Sequence, residues 1–225
     1  MEGKTVAHAI DEEVLTRVIV KAILAAQQGK KLLIPVGISN RHVHLSQPDI
    51  ETLFGPGYQM RVLKALGQPG HCAYEETVTL VGPKGAIPGV RVLGPPREFT
   101  QVEVSLTDGY TLGINPPLLE SGLRSPTPTL SIVGPRGAIT CSQGVICALR
   151  HLHMTPVQAA SLGIKDGDMV SIRSHGDRGL VFNNVKVRVR DDFATEFHID
   201  VDEARAGNIK NGEFVELIGG ITDGY

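Results

Sequence analysis

Short apolar runs alternate with turn residues along most of this chain, and only the N-terminus departs from that rhythm. Between residues 11 and 27, Leu15, Val18, Ile19, Ala22 and Ile23 recur at the i, i+3, i+4, i+7, i+8 spacing of one helical face. Asp11, Glu12 and Glu13 stand where carboxylates favour a helix N-terminus, and Gly29 closes the run. Segment 1–28 is therefore predicted to be an amphipathic helix with a polar linker. Its apolar face either packs on its own domain or docks as a tag on a partner protein. Beyond it, strands are predicted at 32–36, 78–81, 89–93, 102–106, 130–133, 169–173, 185–190, 196–201 and 214–217. These runs are rich in Val, Ile, Thr or Phe and bounded by Gly, Pro, Asp or Asn.

The body of the chain repeats itself. Arg41-His-Val-His-Leu-Ser46 returns as Arg150-His-Leu-His-Met-Thr155, and each copy runs into the signature of a helix start. Ser46 and Thr155 are hydroxyl N-caps, Pro48 and Pro156 sit in the first turn, and Asp49 and Gln158 hold the third position. Short helices 50–54 and 159–162 should follow, closed by Gly55 and Gly163. A second echo, Val81-Gly-Pro-Lys-Gly-Ala-Ile87 against Val133-Gly-Pro-Arg-Gly-Ala-Ile139, is a pair of turns between strands. The expected architecture is mainly β: two small, pseudo-duplicated β-barrel domains with short capping helices. Residues 29–40 with 149–218 would form one barrel, split by a second at 41–148, with a tail at 219–225.

Composition narrows the class. At 225 residues the chain holds one large domain or two small ones. Hydrophobic residues at 41% supply a core, and charged residues at 20% match an ordinary globular protein. A net charge of −2, 4% aromatics and no Trp argue against nucleic-acid binding. Three cysteines, Cys72, Cys141 and Cys147, read as free thiols of a reducing compartment. No membrane span and no signal peptide are seen, so a cytoplasmic location is expected.

Side chains at i and i+2 of a strand share a face, so His42 with His44, and His151 with His153, each offer two imidazoles to one ion. The best completions are Glu103, alternating with Val102, Val104 and Leu106, and His198, between Phe197 and Ile199. Three protein ligands would leave a coordination position open, as catalytic sites do. Nitrogen and carboxylate donors suit zinc, with cobalt and nickel as alternatives. Arg97, after the turn Leu93-Gly-Pro-Pro96, offers a donor fork for phosphate, and the two helix starts offer N–H groups. The thiols look like core residues, and His8, His71 and His175 lie in loop-like contexts without a role.

Residues 35–46, 91–97 with 100–103, 150–154 and 197–200 together resemble the phosphate propanoyltransferase family of propanediol-utilisation microcompartments. The resemblance covers about residues 32–217. It implies two β-barrels, two zinc ions per chain and exchange of a short acyl group, propanoyl or acetyl, between CoA and inorganic phosphate. The implied ligands are His42, His44 and Glu103 on one metal and His151, His153 and His198 on the other. Arg97 would be the catalytic, phosphate-binding residue, with Ser39, Asn40, Lys64, Arg91, Leu93 and Arg205 along the CoA path. An N-terminal helix that enters a bacterial microcompartment by contacting shell or core proteins is also implied, and a homo-oligomer is expected. A dinuclear hydrolase and a non-catalytic metal-binding assembly protein stand as alternatives.

Overall fold

The computed structural model describes residues 32–220, so the expected helix at 11–27 and the end of the tail lie outside the described residues. Two β bodies share the described residues. The first is a closed six-stranded barrel of β1 (Leu33–Ser39), β11 (His151–Met154), β12 (Met169–Arg173), β13 (Val181–Val189), β14 (Glu196–Asp200) and β15 (Phe214–Gly220). β1 lies between β14, parallel to it, and β15, antiparallel to it. The chain thus leaves the barrel after one strand and returns to it more than a hundred residues later. Ile34, Val36, Leu152, Ile172, Val187 and Phe197 are buried in it.

Between these strands runs a nine-stranded sheet of β2 (His42–Ser46), β3 (Val62–Ala65), β4 (Cys72–Val81), β5 (Ala86–Arg97), β6 (Gln101–Glu103), β7 (Leu118–Leu119), β8 (Pro126–Val133), β9 (Ala138–Gln143) and β10 (Val145–Ala148). It is rolled, not laddered shut. The starts of β8 and β10 meet through two bonds, Gly144 N to Ser125 O just before the strands and Val145 N to Thr127 Oγ1 within them, where the prolines at 126 and 128 leave β8 short of ladder donors. Val43, Leu45, Val78, Leu80, Val92, Val102, Leu130 and Ile132 form its core.

Four short helices follow four strands: α1 (Gln47–Phe54), α2 (Leu106–Leu112), α3 (Pro156–Leu162) and α4 (Val201–Ala206). Ser46, Ser105, Thr155 and Asp200 cap them, each side chain accepting the N–H three residues on. Two of these caps shorten expected strands. The run 102–106 ends at Glu103, because Ser105 and Asp108 form a capping box; Leu106 opens a helix and is 51% exposed instead of facing the core. Asp200 ends the run at 196–201 in the same way. Among the described residues no helix is long and apolar enough to cross a membrane.

The two Gly-Pro-basic-Gly turns do more than reverse the chain. Lys84 N donates to Leu112 O at the end of α2, and Arg136 N donates to Leu53 O near the end of α1. Each turn thereby satisfies a carbonyl that a helix C-terminus leaves open. The approach is close: a Cβ on Gly82 would fall 2.3 Å from Leu112 O, and one on Gly134 would fall 2.6 Å from Leu53 O. Gly82→Ala and Gly134→Ala should each destabilise the protein by about 1–3 kcal/mol in urea titrations, since backbone must move to admit the methyl group. Lys84→Ala, which keeps the N–H, should leave the midpoint nearly unchanged.

Candidate active site

Two antiparallel strand pairs build the site. β2 pairs with β6 so that His42 stands opposite Glu103 and His44 opposite Gln101. β11 pairs with β14 in the same register, His151 opposite His198 and His153 opposite Glu196. The duplicated strands therefore place Glu103 and His198 at equivalent positions. Val43 and Leu45, like Leu152 and Met154, are fully buried on the opposite face. Burying each such side chain is worth about 1.5–3 kcal/mol, which holds the imidazoles out toward the cleft.

Both clusters line one cleft of about 950 Å³, together with Arg97, Ser39, Asn40, Lys64, Arg91 and Leu93. His42 Nε2 and His44 Nε2 lie 3.5 and 3.9 Å from the two Glu103 oxygens. One donor atom from each of these residues falls within 4.8 Å of the others, close enough to hold one cation. In the second cluster the ring centroids of His151, His153 and His198 are 4.7–5.0 Å apart. Nδ1 of His42 lies 2.8 Å from Asn40 O, and Nδ1 of His151 lies 2.8 Å from Leu149 O. A carbonyl only accepts, so in the neutral rings Nδ1 carries the proton and Nε2 keeps its lone pair.

Several nitrogens are buried without a hydrogen bond: His44 Nδ1, both ring nitrogens of His153, and His198 Nε2. His198 Nε2 stands 2.9 Å from Glu196 Oε2. Unsatisfied buried groups cost about 1–3 kcal/mol each, and one ring nitrogen of an imidazole can ligate, so the unpaired nitrogens of His153 and His198 fit a divalent ion that would engage one atom of each. Burial, with neighbouring imidazoles and cations, pulls the rings down: His44 well below the ordinary value, His151 to about 4 and His153 to about 2. They are neutral at pH 7, the form that ligates. Burial works against the Glu103 carboxylate, but His42, the Ser121 hydroxyl and Arg97 together lower its pKa.

Arg97 reaches the cleft by a different route from the one expected. Leu93-Gly-Pro-Pro96 is not a turn but the last part of β5. The two-residue step from His44 to Ser46 is matched by the four-residue step from Leu93 to Arg97, so a bulge carries the arginine, and it tolerates prolines that lack an N–H. The guanidinium donates from Nη1 to Gln101 Oε1 at 2.6 Å and lies 3.3–3.4 Å from Ser121 Oγ.

The repeated arginines before each His pair are held by carboxylates, although Arg41 also lines the cleft. Arg41 binds Asp108, the third residue of α2, and Arg150 binds Glu203, the third residue of α4. Each fastens the helix that follows its partner strand. Two expected contributors lie elsewhere. The helix starts at Ser46 and Thr155 do not line the cleft, because their caps turn the chain away from it; Ser46 and Asp49 border a separate pocket of about 350 Å³. Arg205 is also outside the cleft, exposed in the last turn of α4 beside Asp202. Conversely, His71, Ser121, Arg188, Phe193 and Glu196 line the cleft although their sequence contexts are bland. Phe193 stacks on His153, the ring centroids 3.9 Å apart.

A family model described as phosphate propanoyltransferase matches residues 35–210. A phosphate propanoyltransferase of Thermotoga maritima is 54% identical over 184 residues, 81% of this chain and 88% of that protein. One of Salmonella typhimurium is 48% identical over 212 residues, 93% of this chain and 99% of that protein.

The thiols stand apart from this chemistry. Cys141 and Cys147 are buried and Cys72 is half-buried. Burial and the nearby Asp200 carboxylate push the Cys147 thiol up to about 12, so at pH 8 only about one molecule in 10⁴ carries the reactive thiolate. Iodoacetamide at pH 8 should label native Cys72 before Cys147, which mass spectrometry should find modified only after unfolding.

Proposed function

Because the chain belongs to the phosphate propanoyltransferase family, an acyltransferase family, we propose that this cleft exchanges a propanoyl or acetyl group between CoA and inorganic phosphate. The observation that carries the reading is the meeting of Arg97 with two imidazole clusters in one partly closed cleft. In our reading His42, His44 and Glu103 hold one zinc ion, and His151, His153 and His198 hold another. When bound, zinc supplies Lewis acidity that polarises a thioester carbonyl and favours negative charge on its oxygen.

The chain's own residues do the rest. Arg97 presents a planar donor fork to phosphate and orients one oxygen toward the thioester carbon. A C–O bond forms there and the C–S bond breaks, giving acyl phosphate. The proton of hydrogen phosphate ends on the released CoA thiol, so atoms and charge balance without a protein nucleophile. Ser39 and Asn40 at the end of β1, Lys64 in β3, and Arg91 and Leu93 in β5 line the cleft and are assigned to CoA; Arg205 is not, given its place outside. The walls exclude water that would otherwise hydrolyse the thioester. We assign residues 29–40 with 149–218 to one domain and 41–148 to the other. The segment 1–28 is assigned as a tag for the shell or core proteins of a microcompartment, by analogy with the family.

Purified protein loaded with zinc should form acyl phosphate from propanoyl-CoA only when phosphate is present; thioester loss independent of phosphate would overturn the assignment. Arg97→Ala should lower phosphate-dependent turnover by about 100-fold or more, with metal content unchanged. Arg97→Lys should recover little of it, because an ammonium lacks the fork. Glu103→Ala should lose about one of two zinc ions by elemental analysis, and full occupancy would remove Glu103 from the ligand set.

A further inference from the structure

Gln101 is fully buried, and its side chain joins Arg97 to the backbone at residues 122 and 123. Its Oε1 accepts from Arg97 Nη1 at 2.6 Å and from Gly122 N at 2.8 Å, while its Nε2 donates to Leu123 O at 3.2 Å. Three bonds thus fix the amide's direction, and its oxygen fixes one arm of the guanidinium. Ser121 completes the cradle. Its hydroxyl stands beside Arg97 and donates to the Glu103 carboxylate. Among the described residues Glu103, 3.8 Å from Arg97 Nη1, is the one carboxylate within 4 Å of this arginine. That acid is already engaged by Ser121 and faces two imidazoles.

We infer that Gln101 is a positioning residue for phosphate: it aims the Arg97 fork with a neutral acceptor, which adds no negative charge beyond Glu103 to compete with the anion. The inference rests on the phosphate acyltransferase reading above. A carboxylate at 101 could make the same hydrogen bond, but as a charged one it would be stronger and would compete with phosphate for the guanidinium. The duplication supplies the contrast. The equivalent position in the barrel, opposite His153, is Glu196, and its neighbours are His198 and Gln68. A carboxylate occupies the copy that meets an imidazole, and an amide occupies the copy that meets the arginine. Arg97 is largely buried, and that burial lowers its pKa; Glu103 opposes the shift and Arg188 adds to it.

The test uses zinc-loaded full-length protein with Gln101→Glu and Gln101→Met, each checked for folding and metal content. Gln101→Glu, nearly isosteric, should raise KM for phosphate by about 10- to 100-fold, with zinc content and KM for propanoyl-CoA within about twofold of the starting protein. Gln101→Met, which removes the acceptor without adding charge, should raise phosphate KM by a smaller factor. A phosphate KM unchanged in Gln101→Glu would overturn the inference. So would a parallel rise in both KM values, or loss of zinc, since either would mark a merely structural residue. If the unsubstituted protein forms no acyl phosphate, the functional reading itself fails, an outcome distinct from these.

Discussion

Antiparallel register is the constraint from which the rest follows. Successive residues of a strand face opposite sides, so a slip of one position in the β2–β6 or β11–β14 pairing would carry every imidazole into the core and every core side chain into the cleft. The apolar partners prevent it. Val43, Leu45, Val102, Leu152, Met154 and Phe197 are all fully buried, and hydrophobic burial thereby fixes where five histidines point. Core and site are two faces of the same strands.

The duplication reaches beyond the His pairs into the groups that support them. In both copies the first histidine gives its Nδ1 proton to the carbonyl two residues earlier, which leaves Nε2 free for the cleft. In both copies the preceding arginine ties down the acid at the third position of the helix after the partner strand. The copies diverge where the cleft needs them to. Glu103 corresponds to His198 under the pseudo-symmetry, and Gln101 corresponds to Glu196. In one half the third member of the cluster is a carboxylate beside Arg97, and in the other it is an imidazole beside Glu196, with Phe193 stacked on His153.

Electrostatics tie these pieces together. Burial keeps the imidazoles neutral, and the same burial strengthens every charge that remains in the cleft. Arg97 and Glu103 lie close enough to sense each other, yet Gln101 and Ser121 stand between full pairing and independence. An arginine locked to a carboxylate would offer phosphate little. An arginine with no partner would wander among rotamers.

What the linear order determined by itself was local or repetitive. The mainly β class, the duplicated His-x-His frames, the capped helices after them and the family resemblance all rest on residues a few positions apart, where backbone geometry dictates which side chains share a face. Even there Leu106 misled, because one hydroxyl cap at Ser105 converts a strand run into a helix start, and the prolines before Arg97 mimic a turn although they occupy a bulge. Only the folded chain could bring Ser121 and Gln101 to Arg97, set His71 and Glu196 in the cleft, and send Arg205 and the helix starts out of it. Such neighbours come from ladders joining distant strands and from loops crossing between them. The composition of a loop carries no record of what it will touch.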